Sequence, residues 1–335
     1  MRTLAKLGNT ILIALLLVGC GAKPVDTVVV YTALDEMYSQ PILAAFEQET
    51  GIKVHAVYDT EAAKTTGLVT RLIAERERPR ADVFWSNEVA QTILLKSKGI
   101  TTAYVSPSAA DIPPKFKDAD GHWSGFAARG RVIIYNTGLV DAPPASILDF
   151  AKPAWRGKAA VAMPLFGTTA THGAALFAAW GEEKAVAFFK SLRDNDVAFL
   201  AGNATVRDAV ARGDYAIGLT DTDDANGGVL DGHPVAWSFP DQDGMGTLVI
   251  PNTVALIAGA PHSEQGKQLI DFLLRPETEA RLAAMRSIQI PLKPSVEAPG
   301  DVPVLGDIKT MDVEFDAMAA EIETATDTLR RELAR

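Results

Sequence analysis

Three aspartates fall within four positions, Asp221-Thr222-Asp223-Asp224. Carboxylates this close repel one another, and a cation or a hydrogen-bond donor among them relieves the repulsion. Their oxygens suit a hard metal ion, and they equally suit the amine or hydroxyl of an organic ligand. The same residues also read as an Asx-rich turn that caps the next segment. A second group, Gly167-Thr168-Thr169-Ala170-Thr171-His172-Gly173, precedes a helical stretch. Amides at a helix N-terminus favour an anion and the threonine hydroxyls add donors, with an ordinary Thr N-cap as the plainer reading. The segment 59–67 sets Thr65 and Thr66 beside Lys64, as a ligand-facing loop or a solvated one. Ser86, Asn87 and Glu88 follow an apolar run and could fix a polar group or cap a helix. Arg129 and Arg131 suit bidentate contact with a carboxylate or phosphate, or a buried structural pair. Asn203 could reach a ligand or cap the helix after it. The five tryptophans are too scattered to form a cage.

The elements that must position these residues alternate. Apolar, β-branched runs at 27–31, 52–58, 81–85, 130–136, 159–162, 197–200, 216–219 and 249–258 read as strands. Helical spacing occupies 37–50, 65–77, 89–98, 171–180, 182–194, 204–212, 263–274, 276–284 and 312–333. Such alternation predicts parallel sheets covered on both faces. Two α/β units emerge, with crossovers expected near 131–136 and 251–257. Ligands of open α/β sheets bind beyond the carboxyl ends of strands, and two facing units make a cleft.

A chain of 335 residues with net charge −10 can bury a large core and is a poor partner for nucleic acid. No Gly-x-Ser-x-Gly elbow, His-Glu-x-x-His or P-loop occurs, which argues against an enzyme. Arg2 and Lys6 precede an apolar run, 11–18, that is shorter than the ~20 residues a spanning helix needs. The run ends in Leu17-Val18-Gly19-Cys20, and Cys20 is the single cysteine. This order resembles the lipobox of bacterial lipoproteins, which implies acylation of Cys20 and a membrane tether.

The segments VVVYTALDE, FEQETGIKV, ADVFWSNE, GRVIIYNT, DYAIGLTDTDD and FLLRPETEARLA, in that order, resemble the ferric-binding branch of the periplasmic solute-binding proteins of ABC importers. The resemblance implies a type II, two-lobed α/β fold, each lobe a mostly parallel sheet flanked by helices. The expected division is a signal peptide at 1–19, a lipidated tether at 20–26, lobe 1 from 27 to 131 and lobe 2 from 132 to 250. Residues 251–335 then return to lobe 1, with C-terminal helices that pack on both lobes. It further implies a monomer that delivers its ligand to a permease with a cytoplasmic ATPase, and a ferric ion held with a synergistic anion. The family's tyrosine pair falls on Thr222 and Asp223, its early His or Gln near Asp35, and its Glu on Asn87 with Glu88 next; Glu36, beside Asp35, is a further ligand candidate. None of the tyrosine ligands is reproduced in place, and Tyr38 and Tyr58 are the first tyrosines to examine. A phosphorylated, phosphonate or zwitterionic solute is the alternative cargo.

Overall fold

The computed structural model describes residues 26–59 and 66–334. The chain starts with β1 (Thr27–Thr32), whose Val28 and Val30 are fully buried, and runs through α1 (Glu36–Thr50) to β2 (Lys53–Tyr58). α1 stops at Gly51, which takes the left-handed conformation, φ 74°, that glycine adopts without steric cost. α2 (Thr66–Ala74), β3 (Val83–Ser86) and α3 (Val89–Ser97) follow, and β1 pairs in parallel with both β2 and β3. A short β4 (Thr101–Thr102) precedes the longest strand, β5 (Ser124–Asn136). Beyond it lie β6 (Ala159–Ala162), α4 (Gly167–Trp180), α5 (Glu182–Asp194), β7 (Ala198–Leu200), α6 (Asn203–Ala211), β8 (Ile217–Asp221), α7 (Thr222–Leu230) and β9 (Val235–Ser238). The chain ends in β10 (Val249–Ile257), α8 (Ser263–Leu273), α9 (Pro276–Ala283) and α10 (Phe315–Leu333). Among the described residues no helix is long and apolar enough to cross a membrane.

The strands hydrogen-bond in the order β2-β1-β3-β10-β5-β8-β6-β7, with β4 on β10 and β9 on β5. This is one curled sheet shared by two lobes. Up to Gly130, β5 pairs with β10; from Arg131 onward it pairs with β8 and β9. The strand is therefore the covalent and hydrogen-bonded joint between the lobes. β10 pairs with β3, β4 and β5 along its length, so residues 251–257 belong to the first set of strands. Residues 239–248 connect β9 to β10. The strand at 130–136 begins six residues earlier than its hydrophobic run suggests, because Ser124 and Gly125 pair with β10 despite their weak strand propensity.

A third tie is α10, which packs on α3 of one lobe and on α4 and α5 of the other. Its first residue, Phe315, lies 5.9 Å from Phe116 and 6.4 Å edge-on from Trp123. Near its other end, the Glu332 carbonyl accepts from Arg193 Nη1 at 2.9 Å, in the second lobe. In that lobe α6 lies close against β8: a Cβ built on Gly218 would sit 2.5 Å from Val206 Cγ1. Gly218→Ala forces α6 off the sheet, and such overpacking costs about 1–3 kcal/mol. Thermal unfolding should show a lowered Tm; an unchanged Tm would mean that α6 shifts freely.

Candidate functional site

Three helix starts converge on the joint strand. Asp221 closes β8 at the N-cap position of α7, Thr168 and Thr169 lie in the first turn of α4, and Asn203 begins α6. The Gly167–Thr171 stretch and the 222–224 stretch, read from sequence as loops, are thus helical first turns. Threonine, glycine and aspartate are frequent in both settings. The capping readings fail for most of them. Neither Asp221 before α7 nor Glu88 before α3 makes a side-chain cap bond to its own helix. Their carboxylates turn inward instead.

At the centre is Arg131, fully buried and directly opposite Asp221 in the β5–β8 ladder. Arg131 Nη1 donates to Asp221 Oδ1 at 2.6 Å and to Thr168 Oγ1 and Asn203 Oδ1 at 3.1 Å each, and Nη2 donates to Thr169 Oγ1 at 3.3 Å. Asp221 Oδ2 accepts from Thr168 at 2.6 Å and from Asn203 at 2.9 Å. Burial pushes the Asp221 carboxyl up, but Arg131 and Arg129 outweigh it and hold it below the usual range. Burial, reinforced by Arg131, drives the neighbouring His172 down to about 3, so its imidazole is neutral. The Thr168 and Thr169 hydroxyls are both bonded within this knot. Gly167, φ 54°, is exposed, and a Cβ there would meet nothing within 4 Å.

Two residues earlier on the same strand, Arg129 spans both lobes. Its Nη2 donates to the Asn87 carbonyl at 3.0 Å and lies 3.8 Å from Glu88 Oε1, while Nη1 donates to Asp223 Oδ2 at 3.3 Å. Glu88 Oε2 accepts from the Thr171 hydroxyl at 2.5 Å, a second link from the first lobe to α4 of the second. Burial raises the Glu88 carboxyl to about 7 against the pull of Arg129 and the Thr171 bond. Burial also raises Asp223, in spite of Arg129, and lifts Asp224 to about 8 with help from Asp223 and Asp221. Among the described residues, Glu88 Oε1 and Asp223 Oδ1 are buried and accept no hydrogen bond.

One carboxylate oxygen from each of Asp221, Asp223 and Asp224 lies within 4.8 Å of the others. The cluster expected from sequence is therefore real in space, but each acid faces its own arginine: Asp224 lies 3.7 Å from Arg207, a residue the sequence reading passed over. The Thr222 hydroxyl accepts from Gly130 N at 3.3 Å and serves the backbone. Ser86 is a turn residue, its hydroxyl bonded to the Glu88 amide and carbonyl at 3.0 Å each. Asp35 precedes α1 near Tyr38, a half-buried phenol raised by burial and by Asp223 and Asp35. Glu36 is exposed, and its charge adds to burial in raising Tyr58. Thr66 begins α2. Thr65 and Cys20 lie outside the described residues.

The description "bacterial extracellular solute-binding protein" fits residues 42–310. The chain belongs to this family. It is 28% identical over 309 residues to iron uptake protein A1 of Synechocystis sp., covering 88% of this chain and 82% of that one. It is 26% identical over 302 residues, 86% of this chain and 80% of the relative, to a putative 2-aminoethylphosphonate-binding periplasmic protein of Salmonella typhimurium. Its fold is that of the apo ferric ion-binding protein A of Pasteurella haemolytica, with a TM-score of 0.83, 24% identity and coverage of 92% and 98% of the two chains. The two-lobed, type II periplasmic-binding fold is thus established for this solute-binding protein, and the knot and its arginines sit where its lobes meet.

The buried acids set a pH dependence. Between pH 4.5 and about 7 the folded protein keeps the Glu88 proton that the unfolded chain releases, so stability falls as pH rises through this window. Glu88→Gln keeps an acceptor for Thr171 and removes this term. Relative to the variant, the ligand-free parent should lose about 3 kcal/mol between pH 4 and 8 by denaturant titration. Parallel curves for the two proteins would show that Glu88 ionises freely.

Proposed function

We propose that this protein is the substrate-binding component of an ABC importer, and that it takes ferric iron with a companion anion into the cleft between its lobes. The observation that carries the reading is the carboxylate cluster of Asp221, Asp223 and Asp224 at the cleft, with ligand atoms within 4.8 Å of one another. Hard cations prefer such oxygens. Asp223 is more available than Asp221, because its Oδ1 accepts no hydrogen bond among the described residues whereas both Asp221 oxygens are engaged. Arg129, held charged by Asp223, Asp221 and Glu88 against its burial, is suited to the anion. The iron-uptake relative supports the cargo by likeness. The protein would act as a monomer and bind without turnover, handing its cargo to a permease and ATPase.

The proposed division assigns 27–131 and 251–335 to lobe 1 and 132–250 to lobe 2; the change of partners in β5 at Gly130 and Arg131 supports it. The exported chain would be held at the membrane by an acylated Cys20 after removal of 1–19, with 20–26 as a leash. This part rests on the Leu-Val-Gly-Cys order. Cys20→Ala should leave the membrane fraction or remain unprocessed; a processed, membrane-bound variant would sink the tether.

One observation favours a second cargo. Every acid of the cluster has an arginine beside it, so a zwitterion such as an aminophosphonate would find partners for both of its charges. Metal analysis and mass spectrometry of the solute that copurifies with the protein separate the two readings. Calorimetry with ferric citrate tests the site. Removing one partner of a buried charge pair costs about 2–5 kcal/mol, so Asp223→Ala should bind about thirtyfold more weakly or worse, while the surface variant Glu183→Ala should match the parent. Unchanged affinity in Asp223→Ala would move the site elsewhere. The iron-loaded protein should also lack an intense tyrosinate band in the visible spectrum. Such a band would bring Tyr38 or Tyr58 into the ligand set.

A further inference from the structure

Arg129 should not face the cleft if β5 were a regular strand. In the β5–β10 ladder, Phe126 pairs with Asn252 and Arg129 pairs with Ile250. Residues two apart on β10 share a face, so Phe126 and Arg129 share one too, although three positions separate them. An unbroken strand would put Ala128 opposite Ile250 and turn Arg129 to the other side of the sheet. The extra residue is Ala127, where the register shifts between Pro251 and Asn252. Ala127 is fully buried and has φ 41°, a conformation that residues with a Cβ rarely adopt. A bulge of this kind bends a strand and re-aims the side chains after it.

Something must hold the bulge, and the structure shows what does. Glu279, at the start of α9 and fully buried, accepts from Ala127 N at 2.7 Å with Oε1. The same carboxylate accepts from Leu292 N at 3.0 Å and Lys293 N at 2.9 Å. The Ala127 carbonyl accepts from Asn252 Nδ2, and that amide also reaches Gln289 Oε1 at 2.6 Å. Ala128 exchanges both backbone bonds with Ile290, at 2.7 and 2.6 Å. The bulge is therefore clamped from α9, from the segment that follows it and from Asn252 of β10.

We propose that Glu279 and the Ala127 bulge are positioning elements of the ligand cleft: they reverse the alternation of β5 so that Arg129 reaches Asn87 in one lobe and Asp223 in the other. The proposal rests on the cleft being the solute site and not on the identity of the cargo. Glu279→Gln keeps the volume and one acceptor oxygen but sets an NH2 group against backbone N–H donors. Deleting Ala127 removes the bulge outright.

The first measurement needs no ligand. In arginine-labelled protein, the guanidinium N–H signals of Arg129, assigned by their loss in Arg129→Gln, should be protected from solvent exchange in the parent. In the Ala127 deletion they should exchange at least tenfold faster than in the parent. Glu279→Gln should do the same, and it carries the test if the deletion does not fold. The second measurement is ferric citrate affinity. Glu279→Gln should weaken it about as much as Arg129→Gln does, and the double variant should be no weaker than Arg129→Gln alone, since both changes act through one contact. Protected Arg129 signals in folded variants, or losses that add, would overturn the proposal. Failure of the parent to bind ferric citrate would reject iron as cargo and leave the exchange measurement to decide the positioning role.

Discussion

A guanidinium with no solvent exposure has to be neutralised where it stands, and Arg131 dictates much of what surrounds it. Burying a charge is costly, and a buried pair is often no more stabilising than apolar residues of the same volume. What the pair provides here is direction. Arg131 and Asp221 are cross-strand neighbours, and their remaining donor and acceptor sites are taken by Thr168, Thr169 and Asn203. One ion pair thereby fixes the starts of α4, α6 and α7 against the strand that joins the lobes. The knot is saturated except at Arg131 Nε, so it is a rigid floor rather than a contact surface for solute.

Above that floor the charges are not saturated. Arg129 is shared between Glu88 and Asp223, and each keeps one buried oxygen without a hydrogen bond. Burial is the largest influence on Glu88, Asp223 and Asp224, and it raises all three. Low surrounding dielectric strengthens whatever charge does enter. A positive centre placed near Asp223 would oppose the effect of burial on these acids, and an anion beside Arg129 would share its charge. The contrast between a saturated floor and an unsaturated upper layer is the strongest physical reason to put solute at Asp223 rather than at Asp221.

The alternation of strands and helices was legible because continuous apolar runs mark β1 and β6 and helical spacing marks α5, whose limits follow those patterns closely. The acid cluster was legible too, since its members are adjacent in sequence. Its counter-charges were harder to see. Arg131 and Asp221 are 90 positions apart, and only strand register brings them face to face. Arg207 lies on α6 and meets Asp224 through the packing of α6 on α7, which composition does not encode. The first turns of α4 and α7 looked like loops because Gly, Thr and Asp start helices as readily as they make turns. The bulge left no trace at all, because the residue at φ 41° is alanine where glycine would have been the signal.

The way the lobes are joined limits how they can move. β5 crosses within a sheet, so its backbone bonds to β10 on one side and β8 on the other must survive any rotation. The segment 239–248 is held as well: Asp241 accepts from Ser146 and Ile147, and Thr247 makes backbone bonds with Lys309 and Met311. α10 adds a third connection, packed on α4 and α5 and touching α3 across the joint. A helix of 19 residues does not bend easily, so it must travel with one lobe and slide on the other. Its bonds to Arg193 and its packing along α4 place it with the second lobe over most of its length, while Phe315 grips Phe116 and Trp123 of the first. The contacts that cross between the lobes at the cleft are the Glu88–Thr171 bond and the Arg129 bonds to Asn87 and Asp223. The few contacts that a hinge motion would break are the same ones that remain electrostatically incomplete.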